Sequence, residues 1–357
     1  MKKYFWSLFL ILLMTPSVAN AHEQVRESKK NRIDNYETIT ISQSGSLFYS
    51  VTNEIITSVA NVGANLSFIG RANVGMEKIL DYSGKEKLTT KTDYLYSISI
   101  KTVEKDFADY IYSDNISSKI KTDLIIISEL TANLYSIQIG DVIHLIGMNG
   151  EPVEIVVGDI VPDAELGWFE GVVNKELGFK LGIYRNIQAI IWDDKITENH
   201  LIEIYRNIKY KKVRVSDKNS TPNKNWVLPT ALVKEKFGDF QIKEKDGTWI
   251  ITEPAWREAN IERLEMPIIG RATCHKLMWE PLRGVLNQIE AEGLGYTLSK
   301  EEFRTSGGCY APRRISRFDA GGSISRHAWG IAIDTVSYTH LRAHETREDR
   351  VFRVRLE

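Results

Sequence analysis

His327 and Asp334 stand seven positions apart, on either side of Gly330, in the segment Ser325-Arg326-His327-Ala328-Trp329-Gly330-Ile331-Ala332-Ile333-Asp334. An imidazole and a carboxylate are both zinc-ligand types, and each must bring its donor atom to about 2 Å from the ion. No regular backbone does this at that spacing. A straight strand carries seven residues over roughly 23 Å and sends the two side chains to opposite faces. A helix still separates them by about 10 Å. The pair converges only where the chain bends between them, and Gly330 is the residue that tolerates a bend or a bulge.

Ser325, His327, Gly330, Ala332 and Asp334 spell S-x-H-x-x-G-x-A-x-D. The segment resembles the signature of the VanY-like D-alanyl-D-alanine carboxypeptidases, zinc peptidases that cleave peptidoglycan stem peptides. The resemblance implies that His327 and Asp334 are two of three protein ligands to Zn2+. It also implies an arginine ahead of the signature that binds or polarises the substrate near the scissile bond. In Gly307-Gly308-Cys309-Tyr310-Ala311-Pro312-Arg313-Arg314 the match is Arg313, with Arg314 the alternate. A guanidinium presents paired donors to a carboxylate or developing oxyanion and stays charged at any working pH. Arg313 thereby takes a catalytic and substrate-binding role, against the plainer reading of Arg313, Arg314 and Arg317 as a solvated basic surface. Ser325 either hydrogen-bonds the peptide substrate or caps a strand.

A complete site of this kind needs a histidine as third ligand and a glutamate that moves a proton from bound water to the leaving amine. Only 23 residues follow Asp334. They contain His340, His344 and Glu345, which are not assigned to the site. From Ser337 the chain is polar and arginine-rich, and it resembles a peptide string found at the ends of fragmentary open reading frames. Residues 335–357 are therefore expected to be a non-native tail, and the peptidase domain to be truncated.

The elements that must position these residues begin after Ser216–Asn225, SDKNSTPNKN, a polar run with little to bury that marks a domain boundary. Beyond it, Trp279–Gly293 places Leu282, Val285, Leu286 and Ile289 at helical spacing, with Pro281 near the start and Gly293 at the end. Ser299-Lys300-Glu301-Glu302 fits the capping box of a following helix. Before the boundary, short β-branched and aromatic runs such as Asp93–Ile100 and Leu124–Ile127 predict strands. Asn149-Gly150 between two apolar runs predicts a hairpin over Asp141–Val157. Helical candidates there are Glu54–Val62 and Asn199–Asn207. Asp193-Asp194 reads as an exposed turn, and His144 and His200 as surface or packed side chains.

The expected fold class is α+β: an incomplete zinc D,D-peptidase-like domain over 226–334, preceded by a mostly β domain of unassigned role over 38–215. Ahead of these, Met1-Lys2-Lys3, the apolar run Tyr4–Met14 and Ala19-Asn20-Ala21 have the parts of a secretory signal peptide over 1–21, with a polar lead over 22–37. That predicts a secreted chain, periplasmic or extracellular and associated with the cell wall, with no stable membrane span after cleavage. In an exported chain the two cysteines, Cys274 and Cys309, are most simply a disulfide. It closes a loop of about 35 residues and is worth roughly 3–4 kcal/mol by chain entropy. A metal site of Cys274, His275 and Cys309 is the competing reading. A net charge of -1 over 357 residues leaves no basic excess to argue for nucleic acid. The partner expected is a peptidoglycan stem peptide, and the alternative function is that of a non-catalytic exported wall-binding or interaction protein.

Overall fold

The computed structural model describes residues 38–43, 60–61, 63, 65–120, 122–183, 187–192, 211–216, 228–245, 249–298, 309–315 and 322–333. Outside them lie the signal peptide and lead, Asp193-Asp194, the Asn199–Asn207 candidate with His200, the linker from residue 217, the Ser299 capping box, Arg317, Asp334 and the tail with His340, His344 and Glu345. Of the Glu54–Val62 candidate, Ala60 and Asn61 are described and are helical. Among the described residues there are two compact units, one of 38–245 with 315 and 322–323, the other of 249–314 with 324–333.

In the first unit the elements run in order β1 (Thr38–Gln43), β2 (Asn65–Leu80), β3 (Glu86–Thr89), β4 (Tyr96–Val103), α1 (Lys105–Ile111), α2 (Asp114–Ile120), β5 (Leu124–Ser128) and α3 (Glu129–Tyr135). They continue with β6 (Val142–Ile146), β7 (Pro152–Val161), β8 (Gly171–Asn174), α4 (Lys175–Lys180), β9 (Ile187–Trp192), β10 (Lys211–Ser216), α5 (Thr230–Phe237) and β11 (Ile242–Lys245).

Six of these strands close a ring in the order β2-β4-β8-β5-β7-β6 and back to β2. The β4–β8 and β5–β7 pairs are parallel and the others antiparallel. Closure depends on the length of β2, whose 16 residues serve four partners. Its first part pairs with β9, its middle with β4 and its end with β6 on one side and β3 on the other. A register shift between Met76 and Lys78 bends the strand toward β6, as an extra residue in a ladder does. On the far side of β9, β1 and β10 extend the sheet beyond the barrel.

The run Leu124–Ile127 shows why a strand here reads as continuously apolar. Ile125 and Ile127 join the cluster of Ile79, Ile98, Ile143, Leu145 and Ile155 on one side. Ile126 joins Phe107, Ile116, Ile120 and Val172 on the other. With both faces covered, no position is left for a polar alternation, and each buried isoleucine is worth about 1.5–3 kcal/mol relative to exposure. The β6–β7 hairpin turns at Gly150, whose φ of +82° is the conformation an Asn-Gly turn supplies.

The second unit contains β12 (Trp249–Thr252), α6 (Pro254–Asn260), β13 (Ile261–Met266), β14 (Gly270–His275) and α7 (Trp279–Ala291). Helix α7 buries Trp279, Leu282, Val285, Leu286 and Ile289. That stripe packs with Met266, Ile269, Ala272 and the two cysteines.

This architecture corrects the expected fold class. The chain is built around a closed six-stranded mixed barrel with short helices, in place of a mostly β domain leading into an α+β zinc D,D-peptidase-like domain. In the second unit the described strands form the β13–β14 hairpin and isolated bridges around residues 249, 313 and 324, and no ligand-bearing sheet. The reason is local. Arg326–Trp329 forms a 3-10 turn, capped at its start by the Ser325 hydroxyl and ended by Gly330, so the motif bends out of strand geometry before a ladder can form.

Candidate functional site

The site begins at the end of β14. Cys274 and Cys309 are joined by a disulfide, with Cα atoms 4.9 Å apart and both side chains fully buried. A disulfide consumes both thiolates, which removes them from any metal site. His275, the third member of that competing set, is 1% exposed. Its Nδ1 accepts the Leu277 amide at 3.1 Å, which places the ring proton of the neutral form on Nε2.

From Cys309 the chain runs beside the motif. Tyr310 N–H donates to the Thr273 carbonyl at 3.0 Å, and Ala311 N–H to the His327 carbonyl at 2.9 Å. Ser325 N–H donates to the Arg313 carbonyl at 2.9 Å, and Arg313 is also bridged to Trp249. Tyr310 shares a 2.6 Å hydrogen bond with Thr252, and burial pushes its phenol above the ordinary tyrosine value.

The turn itself is held from several sides. Ser325 Oγ accepts the His327 amide at 3.4 Å. Gly330 adopts a φ of +68°, and its carbonyl accepts the His275 amide at 3.0 Å. A Cβ at position 330 would lie 2.7 Å from His275 N and 3.2 Å from the Cys274 carbonyl carbon. Both the left-handed backbone and the close approach to β14 therefore require glycine. The chain bends sharply at Gly330.

His327 is 7% exposed, and its Nδ1 lies 3.1 Å from the Cys309 carbonyl oxygen. A carbonyl can only accept, so Nδ1 carries a proton, and in the neutral ring Nε2 is the unprotonated nitrogen. This is how metal-ligating histidines are commonly oriented, with the second ring nitrogen donating to a backbone carbonyl or carboxylate. Arg313 is half-buried and Arg314 buried, one on each face of their short extended segment. The Arg326 guanidinium lies 5.7 Å from the centre of the Trp329 ring.

The structure thus brings His327, Ser325, Arg313 and the disulfide into one bonded neighbourhood. Among the described residues, no group of three or more His, Cys, Asp or Glu side chains is placed to hold a metal ion. In the first unit, His144 is a packed strand residue with Nδ1 3.3 Å from Glu154 Oε1. Burial holds it below the ordinary histidine value, with Glu154 opposing and Lys78 reinforcing the shift.

One cluster escaped sequence reasoning. Lys234 of α5 is fully buried and reaches Glu170 Oε1 at 2.7 Å, Tyr135 Oη at 3.1 Å, Asp239 Oδ2 at 3.5 Å and the Ser97 carbonyl. Tyr135 donates to Asp239, and Glu170 accepts from the Ser99 amide and hydroxyl. Burial opposes the Lys234 ammonium, but Asp239 and Glu170 outweigh it and raise its pKa. Burial also raises Asp239, with Lys234 offsetting only part of the shift. The sequence signal was a lysine directly after the apolar run Ala231-Leu232-Val233, a pattern that an exposed lysine produces equally well.

No family model matches the chain, and no curated protein matches it. Among solved structures, the extracellular domain of the noncanonical ABC-type transporter YknZ from Gram-positive bacteria is similar over 50% of this chain and 98% of that one. The identity is 13% and the TM-score 0.27, a likeness that carries no argument about fold or function. Among the described residues no helix is long and apolar enough to cross a membrane.

Proposed function

We propose that this chain carries part of the site of an exported zinc-dependent peptidase acting on peptidoglycan stem peptides, of the D-alanyl-D-alanine carboxypeptidase type. The observation that carries the reading is the His327 ring, whose Nδ1–H is spent on the Cys309 carbonyl. His327 would hold zinc through Nε2, with Asp334 as the second ligand on the resemblance of its motif. When bound, the ion supplies a water of lowered pKa and polarises the scissile carbonyl.

The chain's own residues do the positioning. The disulfide and the 3-10 turn fix the His327 tautomer and orientation. Arg313 offers a planar pair of donors for a substrate carboxylate or a developing oxyanion. Ser325 is committed to capping the turn through the His327 amide, which favours its structural role over substrate contact. Export to the periplasm or cell surface belongs to the same reading, since a buried disulfide suits an oxidising compartment.

A zinc titration tests it. Stoichiometric, chelator-sensitive binding that disappears in His327→Ala supports the site, as does release of D-alanine from a pentapeptide muropeptide. A folded chain that takes up no zinc and releases no D-alanine overturns the reading.

A further inference from the structure

We infer that Lys234 is a modification site: its Nζ forms an amide bond with the side-chain carboxyl of Asp239, with loss of water and with Glu170 as the proton carrier. The bond lies wholly within the barrel unit and is independent of the peptidase reading.

The side chains of Lys234 and Glu170 are 0% exposed and that of Asp239 is 6% exposed. Lys234 Nζ lies 2.7 Å from Glu170 Oε1 and 3.5 Å from Asp239 Oδ2, one C–O bond short of the carbon it would attack. Helix α5 ends at Phe237, and Gly238, at a φ of +79°, redirects the chain so that Asp239 comes back to the lysine. Tyr135 donates to Asp239, and its ring centre is 5.6 Å from Lys234 Nζ. The Tyr96 ring stands edge-on to Tyr135, 5.3 Å between centres, and completes an aromatic wall on that side.

One ammonium thus faces two carboxyl groups away from solvent. With both ionised the site would hold a net negative charge, which burial penalises heavily. Burial raises Asp239 above the ordinary carboxylate value and favours its protonated form. The lysine then sits between a carboxylate that can take its proton and a carboxylic acid that can acylate it. Glu170 is within the reach required of a general base. It takes one proton from the ammonium, and the neutral amine attacks the Asp239 carboxyl carbon. The Tyr135 hydroxyl, already donating to that carboxyl, stabilises the oxygen on which charge develops. Glu170 passes its proton to the departing hydroxyl, which leaves as water, and takes the second proton from nitrogen as the amide forms. A buried ion pair and a buried acid are replaced by one neutral amide and a protonated Glu170.

Peptide mapping of the full purified chain by mass spectrometry reads the bond directly. Trypsin does not cut after an acylated lysine, so the linked chain should yield residues 225–236 joined to 237–243 as one branched species, lighter by one water than its two strands together. Glu170→Gln should abolish that species in a chain that still folds by circular dichroism. Where this variant fails to fold, the parent chain decides: recovered unfolded in urea it should lack the bond, and on refolding it should acquire it. A folded parent chain cut after Lys234 with no branched species overturns the inference. A bond to Glu170 in place of Asp239 does so too, as does a branched species undiminished in folded Glu170→Gln or already present in chain that has never folded.

Discussion

The ring of His327 donates through Nδ1 to the carbonyl of Cys309, 3.1 Å away, and Cys309 is itself tied to β14 by its disulfide to Cys274. The orientation of a candidate ligand thus depends on a covalent link made eighteen positions earlier in the chain. If zinc is held by Nε2, His327→Ala should weaken zinc binding by more than about 100-fold, exceeding the loss from an outer-sphere partner alone. Competition against a chromophoric chelator measures this, and unchanged affinity would remove His327 from the ligand set.

Replacing both cysteines by alanine should lower unfolding free energy by roughly 3–4 kcal/mol, from a loop closed across 35 positions. Urea denaturation of the second unit, followed with and without reductant, gives the number. A loss under about 1 kcal/mol would mean that the unfolded chain is constrained by something other than this bond.

Gly330→Ala should destabilise the turn by at least about 1–2 kcal/mol, the penalty for a side chain in the left-handed region. The new methyl group also meets backbone of His275 and Cys274, which cannot rotate away. A drop in melting temperature together with loss of zinc uptake is expected. A variant as stable as the parent chain contradicts the positive φ at this position.

Lys234→Met leaves Glu170 and Asp239 buried without their cation and should cost about 3–5 kcal/mol. Adding Glu170→Gln should recover part of that loss, because it removes one of the uncompensated charges. Equilibrium unfolding of the two variants separates charge from packing. If the double variant is less stable than the single one, lost packing accounts for the effect.

His144 makes stability fall on the acid side. Its folded pKa lies below the ordinary value, so its contribution is fully present above about 6.5 and is lost as pH falls through the folded value. Glu154 from β7 and Glu77 of β2 oppose the shift, and Lys78 of β2 adds to it. His144→Gln should flatten the urea midpoint between about pH 7.5 and pH 5 relative to the parent chain. Parallel slopes for the two proteins would assign the acid sensitivity to other groups.

What could be read from residue order was local. The Asn149-Gly150 hairpin, the Leu124–Ile127 strand and the Trp279–Gly293 helix each follow from period and turn chemistry within a dozen or so residues. Barrel closure was not readable, because it depends on the two ends of β2 finding β9 and β6, and nothing in Asn65–Leu80 names those partners. The α+β expectation failed for a related reason. The motif residues named a chemistry, while the backbone they adopt is a turn whose cap and stop are Ser325 and Gly330. Lys234 was invisible because a lysine in an apolar helix ordinarily snorkels to solvent, and only the distant Glu170 and Asp239 make its burial tolerable.

The long strand β2 also governs how the protein reaches its fold. Leu80 meets Glu86 of the neighbouring β3 early, but Asn65 must wait for Trp192 before its end is paired. Loop closure over such distances comes before any reward from the ladder, so folding of this unit is expected on the slower millisecond-to-second scale of non-local β topologies. Until β9 arrives, the start of β2 in a newly made chain displays hydrogen-bonding groups that are open to any other chain. A chaperone that shields the start of β2 until then is expected to raise the yield of folded chain.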